Sequence, residues 1–180
     1  MSSGGRTNPI PAAKKPRRGP QALAAASRLA VTALFVSLSV ALPARACAQS
    51  GEARILYRMG LIHFQKGEYA DALSAFGRAA ELEPAQAELH RALGLTHYNL
   101  KQYQQAVQAF SRAVELSPET AKYRYDLGAT YYSMESYQEA IAHLGKALEL
   151  DPQMTSALVA LGNAYYHIGH HQEAIKLLEQ

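Results

Sequence analysis

The sequence holds one cysteine, Cys47, and no tryptophan in 180 residues. A single thiol rules out a disulfide framework and a CxxC pair. Acid is absent altogether from residues 1–48, which carry seven of the 18 Lys and Arg. Residues 49–180 are left with eleven positives against all 15 acids, a net charge of −4. An acidic body lacks the basic footprint that phosphate-backbone binding needs, so no nucleic acid is expected as a partner. Also absent are G-x-S-x-G, H-E-x-x-H and a phosphate-cradling glycine loop. No catalytic residue, cofactor or metal is therefore assigned, and the chain reads as non-enzymatic.

No uncharged apolar run reaches the roughly 20 residues that span a bilayer. The longest is Leu29–Leu42, which comes after "KKPRR" and is broken by Pro43 before the small residues Ala46–Ala48. This is the layout of an export signal over residues 1–48, with an n-region at 1–28, an h-region at 29–42 and cleavage near 48. Cleavage would leave no cysteine, which suits an oxidising compartment without disulfides. The expected location is the periplasm or cell envelope. The alternative is an inner-membrane anchor formed by residues 22–42, interrupted only by Arg28. Membrane contact is expected only through this segment, if it is uncleaved.

From residue 53 onward the sequence is periodic at 34 residues: 53–86, 87–120, 121–154 and a partial unit, 155–180. Met59-Gly60, Leu93-Gly94, Leu127-Gly128 and Leu161-Gly162 recur in register, as do Ala72, Ala106, Ala140 and Ala174. A bulky apolar residue comes after each of those alanines, at Phe76, Phe110, Leu144 and Leu178. Full units close on "ELEP", "ELSP" and "ELDP". Each unit holds two apolar-periodic segments of about 14 residues, the first pair being roughly Ala53–Lys66 and Tyr69–Leu82. That predicts a helical hairpin. One hairpin cannot bury its apolar face alone, whereas stacked hairpins share a continuous core. Gly67 and Gly169 fall where a left-handed C-cap belongs, and the prolines stop each second helix.

The skeleton resembles the tetratricopeptide repeat over residues 53–180. The family's early aromatic is replaced by Leu56, His90, Arg124 and Leu158. The resemblance implies an all-α, right-handed superhelical solenoid whose concave groove is lined by the first helix of each hairpin. It places Phe64, Tyr98, Tyr132 and Tyr166 there as an aromatic ladder, with Tyr57 and Tyr125 beside it. Arg54, Arg91 and Lys122 are its basic neighbours, and Asn99 and Asn163 its amides. Tyrosines suit peptide recognition because they give large contact area at low entropy cost. The bland alternative for each is packing between helices, and Tyr69, Tyr103 and Tyr137 read as structural outright.

One subset of the family clamps a terminal carboxylate with Lys and Asn. The matching positions here are Tyr57, Leu61, Ala92, Lys122 and Asp126. Only Lys122 fits, and Asp126 would repel the ligand, so that mode is not expected. His167, His170 and His171 cluster near the C-terminus. They occupy the end of a helix and the turn after it, where zinc ligands seldom converge unaided. The expected role is an interaction scaffold that takes a partner peptide or helix in the groove. The rival reading is an N-terminal docking module of a longer envelope protein or enzyme, since the fourth unit stops before its own "ELxP".

Overall fold

A computed structural model describes residues 50–179. The readings made on residues 1–48 lie outside the described residues: the signal, its cleavage site and the 22–42 anchor. The described chain is all helix and turn, without a strand among the described residues. A first helix, α1, covers 50–66, so it runs farther N-terminally than the Ala53 start expected from periodicity. After it come α2 (Tyr69–Leu82), α3 (Ala87–Asn99), α4 (Tyr103–Leu116), α5 (Ala121–Ser133), α6 (Tyr137–Leu150), α7 (Thr155–His167) and α8 (His171–Leu178). Each helix packs chiefly on its sequence neighbours, and α3, α5 and α7 also touch in succession. This is an all-α solenoid of antiparallel hairpins. None of the described helices is long and apolar enough to cross a membrane.

The hairpin is closed by a turn that repeats every 34 residues. Gly67 and Gly169 have φ of 77° and 82°, in the left-handed region. At the same register Lys101 and Glu135 adopt φ of 59° and 60° without being glycine, which sequence reading missed. The N–H groups of Glu68, Gln102, Ser136 and His170 each reach back five residues, to carbonyls of His63, His97, Tyr131 and Tyr165, at 2.9–3.0 Å. These bonds satisfy the last carbonyls of each first helix, as a left-handed cap requires. Second helices stop at Leu82, Leu116 and Leu150, two residues before Pro84, Pro118 and Pro152. The residue preceding proline is pushed out of the helical region, and Glu83, Ser117 and Asp151 take extended φ near −130 to −140°.

Inside each hairpin the glycine of the first helix meets the bulky residue of the second. A Cβ built on Gly60 would sit 2.5 Å from Phe76 Cε1, and one on Gly94 2.6 Å from Phe110 Cδ1. On Gly128 and Gly162 the nearest atoms are Leu144 Cγ at 2.8 Å and Leu178 Cγ at 3.0 Å. Phe76, Phe110 and Leu144 are fully buried, together with Ala72, Ala79, Ala106, Ala113, Ala140 and Ala147. The same side chains also touch the next hairpin: Phe76 packs with Ala92, Phe110 with Leu127, and Leu144 with Leu161. One bulky residue per unit thus joins its own hairpin to the next one. The buried hydroxyls of Thr96 and Thr130 donate to their own helix, at Ala92 O and Asp126 O, 2.7 Å each.

Candidate functional site: a groove lined by the first helices

The groove is built from α1, α3, α5 and α7, whose i, i+3, i+7 and i+10 positions recur along one face. The aromatic ladder lies on it. Phe64, Tyr98 and Tyr132 are half-buried, and Tyr166 is 62% exposed. Each ring is held by the residue that opens the second helix of its own unit. Phe64 meets Tyr69, Tyr98 meets Tyr103 and Tyr132 meets Tyr137 edge-on, with centroids 5.5–5.6 Å apart. Tyr166 meets His171 at 5.1 Å, where His171 stands in for that tyrosine. The inner edges of Phe64, Tyr98 and Tyr132 touch the buried core. Each of these three rings therefore packs and lines the groove at once.

Two hollows differ sharply in size. The first, about 60 Å³, is lined by Tyr57, Leu61, Phe64, Phe76, Ala92 and Leu95, with Glu88 and Arg91 at its edge. The second, about 500 Å³, runs between α5 and α7 and is lined by Tyr98, Tyr125, Ala129, Tyr132, Val159 and Asn163, with the hydroxyls of Ser133, Thr155 and Ser156. A smaller hollow of about 150 Å³ below Tyr98 and Tyr125 reaches Asp126 and Phe110. Ala160 and Thr155 were not assigned to the groove from sequence, and Asp126 was read only as a position of the carboxylate clamp. Ala160 and Asp126 belong to one column, 92/126/160, that the 34-residue period alone identifies.

Charge in the groove is largely spent internally. Arg91 Nε donates to Asp126 Oδ2 at 2.6 Å, and Arg91 Nη1 donates to Glu88 Oε1 at 3.1 Å. The two side chains of the shorter pair are only 13% and 10% exposed. Tyr123 Oη donates to the other oxygen of Glu88 at 3.0 Å. Burial pushes the Asp126 carboxyl above its ordinary range, and the attraction of Arg91 opposes that shift without cancelling it. Burial would lower Arg91, but Asp126 and Glu88 together hold it above its usual value. Burial and the Glu88 carboxylate push Tyr123 up to about 12, and the same two causes raise Tyr57. The resemblance implied Arg91 as a basic neighbour of the ladder; its guanidinium is occupied by two carboxylates of its own chain.

The remaining basic and amide positions divide. Arg54 and Lys122 are exposed but do not line the hollows described above. Asn99 Nδ2 donates to Leu95 O at 2.8 Å and its Oδ1 accepts from Tyr69, so its amide is engaged by its own helix and by the preceding repeat. Asn163 is exposed and lines the larger hollow. Tyr98 Oη and Ser133 Oγ are 2.8 Å apart across the α3–α5 junction. At the positions of the carboxylate clamp, Ala92 is buried and Asp126 is paired with Arg91.

The histidines of the fourth unit are each engaged by a tyrosine. His167 stacks on Tyr137 at 4.7 Å with planes 2° apart, and His170 stacks on Tyr165 at 6.0 Å. Among the described residues the ligand-type side chains that come together are instead His63, Glu68 and Asp71, all at the surface. Their core is a turn latch: His63 Nδ1 lies 2.6 Å from Glu68 Oε2, and one repeat later His97 Nδ1 lies 2.8 Å from Gln102 Oε1. An amide serves the second latch as well as a carboxylate serves the first, which fits a structural role. His143 lies stacked on Tyr131, and burial beside Arg124 lowers its pKa.

Comparison with known proteins agrees with this architecture. Residues 131–180 match the family described as tetratricopeptide repeat, and residues 65–147 match the one described as anaphase-promoting complex, cyclosome, subunit 3. The described hairpins thus have the tetratricopeptide-repeat fold, and residues 131–180 match that family's model. No curated protein matches the chain. Among solved structures it is similar to the crystal structure of MamA, at 28% identity and a TM-score of 0.68, over 71% of this chain and 74% of that one. MamA 41-end from Desulfovibrio magneticus RS-1 is similar at 26% identity and a TM-score of 0.67, over 71% and 72%. The first TPR of Spaghetti (RPAP3), bound to HSP90 peptide SRMEEVD, matches at 22% identity and a TM-score of 0.65, over 67% of this chain and 95% of that one. At that identity it shows the fold alone. This tetratricopeptide solenoid has the architecture of a protein–protein interaction scaffold.

Proposed function

We propose that this tetratricopeptide protein is a non-enzymatic scaffold of the bacterial cell envelope that receives an extended or helical segment of a partner protein in its groove. The observation that carries this reading is the hollow of about 500 Å³ between α5 and α7, walled by Tyr98, Tyr125 and Tyr132 and rimmed by Asn163 and hydroxyls. Rigid, amphipathic rings that are already braced lose little entropy on binding, which is the property of interface anchors. Envelope location rests on the signal-like residues 1–48. Because Arg91 is spent on Asp126 and Glu88, the favoured partner segment is apolar or amide-rich in its centre, with acid at most near Arg54 or Lys122.

A photo-crosslinking residue placed at Tyr166 tests the groove in producing cells. It should capture a defined polypeptide, and the Tyr98→Ala/Tyr132→Ala double variant should lose that product while keeping its helical circular dichroism. An undiminished product would remove the assignment of the groove. Cell fractionation with N-terminal sequencing tests the location, and an intact N-terminus in the cytoplasm would end that part of the proposal.

A further inference from the structure

Three aliphatic side chains lie open on one face of α1: Ile55 at 62%, Met59 at 45% and Ile62 at 51% exposed. One, two or three repeats later their positions are filled. Ile55 corresponds to Leu89 and Ala157, both 0% exposed, and to the buried Tyr123; Met59 to the half-buried Leu93 and the buried Leu127 and Leu161; and Ile62 to Thr96, Thr130 and Ala164, all 0%. In the later units this face is covered by the preceding second helix. On α1 it is exposed, yet it is more aliphatic than the buried version, with isoleucine where two inner units carry threonine. An end face meant for water would be polar.

The two ends of the stripe show what covers it. At a helical repeat of about 100° per residue, Glu52, Met59 and Lys66 fall in one line with Ile55 and Ile62 beside them. Glu52 and Lys66 are exposed. Glu52 also lies 3.8 Å from Arg78, a pair open to water on both sides and readily exchanged. The inner units have Gln86, Thr120 and Met154 at the first of these positions and Leu100, Met134 and Ile168 at the second. Of the four first helices, only α1 carries opposite charges at the two ends of an aliphatic centre. Such a stripe is self-complementary in an antiparallel sense. Rotation about a two-fold axis through Met59 sets Ile55 against Ile62 of a second copy, Met59 against Met59, and Glu52 against Lys66 at both ends.

We infer that the α1 face is an isologous interface through which two copies of this chain pair antiparallel. The central contact is aliphatic and the rim carries two equivalent ion pairs, which set the register. One helix pair buries less than the roughly 1,200 Å² of a permanent interface, so the dimer forms reversibly with concentration. The groove, built from other residues of the first helices, contributes nothing to this contact.

Sedimentation equilibrium of the full chain over a range of concentrations tests it. The wild-type average mass should rise toward that of a dimer. Met59→Lys places two like charges at the axis and should leave a monomer throughout. Glu52→Lys should weaken association by about tenfold, and Glu52→Lys/Lys66→Glu should restore it. All the altered positions are exposed, so the variants should keep wild-type helicity. A wild-type monomer at every concentration would overturn the inference, including the case in which another segment of the chain covers the face. So would association that survives Met59→Lys, or a charge-swapped pair that fails to recover.

Discussion

The two halves of the groove share one repeat and are put to different uses. Between α3 and α5, the facing side chains are locked together by Arg91, Asp126, Glu88 and Tyr123, and the hollow at that junction holds only about 150 Å³. Between α5 and α7, the same registers carry Tyr125, Ala160, Lys122 and Ala157, no comparable lock forms among the described residues, and the hollow reaches about 500 Å³. A repeat architecture therefore does not make a uniform groove. Columns of residues one period apart decide, junction by junction, whether neighbouring helices bind each other or leave their faces for a partner.

The strongest way to break this comparison is to cut the lock. Arg91→Met leaves Asp126 buried and unpaired and should cost about 3 kcal/mol in urea unfolding. Val159→Ala, at the Arg91 position of α7 and 45% exposed, should stay within about 0.5 kcal/mol. Equal losses would show that the two junctions are held alike. The lock also has a pH signature. Asp126 already lies above its ordinary range in the folded chain, and losing Arg91 removes a lowering influence. A carboxyl with a raised folded pKa binds its proton more tightly when folded, so its contribution to stability grows as pH falls and is lost as pH rises through that value. The deficit of Arg91→Met against wild type should therefore shrink as pH falls below neutral. A deficit that widens on acidification would contradict the buried carboxylate.

Next in size are the glycine contacts. A Cβ on Gly94 strikes the ring of Phe110, which is 1% exposed and has nowhere to move. Gly94→Ala should cost about 1–3 kcal/mol, the usual range for overpacking. Gly162→Ala meets Leu178 only at 3.0–3.4 Å, and that side chain is 54% exposed and free to turn. Its cost should stay below about 1 kcal/mol. Thermal unfolding of the two variants separates these cases, and similar shifts in Tm would refute the difference in confinement.

The smallest effects come from the turns, where the two halves should behave alike. Lys101→Gly and Glu135→Gly relieve a left-handed backbone that costs a side chain about 1 kcal/mol and should each raise stability by about 0.5–1 kcal/mol. Gly67→Ala and Gly169→Ala should lower it by a similar amount. A loss on Lys101→Gly would mean that the lysine side chain holds its turn in some other way.

The period was legible because stacking requires it. Gly94 must admit Phe110, Ala106 must vanish into the contact, and Pro118 must end a helix, so each identity recurs wherever the hairpin recurs. The Phe64, Tyr98, Tyr132 and Tyr166 column was legible for the same reason. The Arg91–Asp126 pair was not, although its signal was present: residues i and i+35 become neighbours on adjacent first helices, as Tyr98–Ser133 and Glu88–Tyr123 also show. Opposite charges at that spacing were the clue. Lys101 and Glu135 escaped notice because nothing in a lysine or a glutamate announces a positive φ, and only their register with Gly67 and Gly169 reveals it.

By itself, then, the sequence determined the hairpin, its period, the glycine caps at Gly67 and Gly169, the prolines that end each second helix and the bulky residue that recurs in each unit. These depend on local preference and on contacts repeated at a constant interval. The tertiary structure decided which polar side chains were consumed and which stayed open, because that depends on the one neighbour each meets across a junction. It left Tyr98 and Tyr132 facing a hollow, turned Arg91 inward, and exposed Ile55, Met59 and Ile62 where, among the described residues, no preceding second helix is seated against α1.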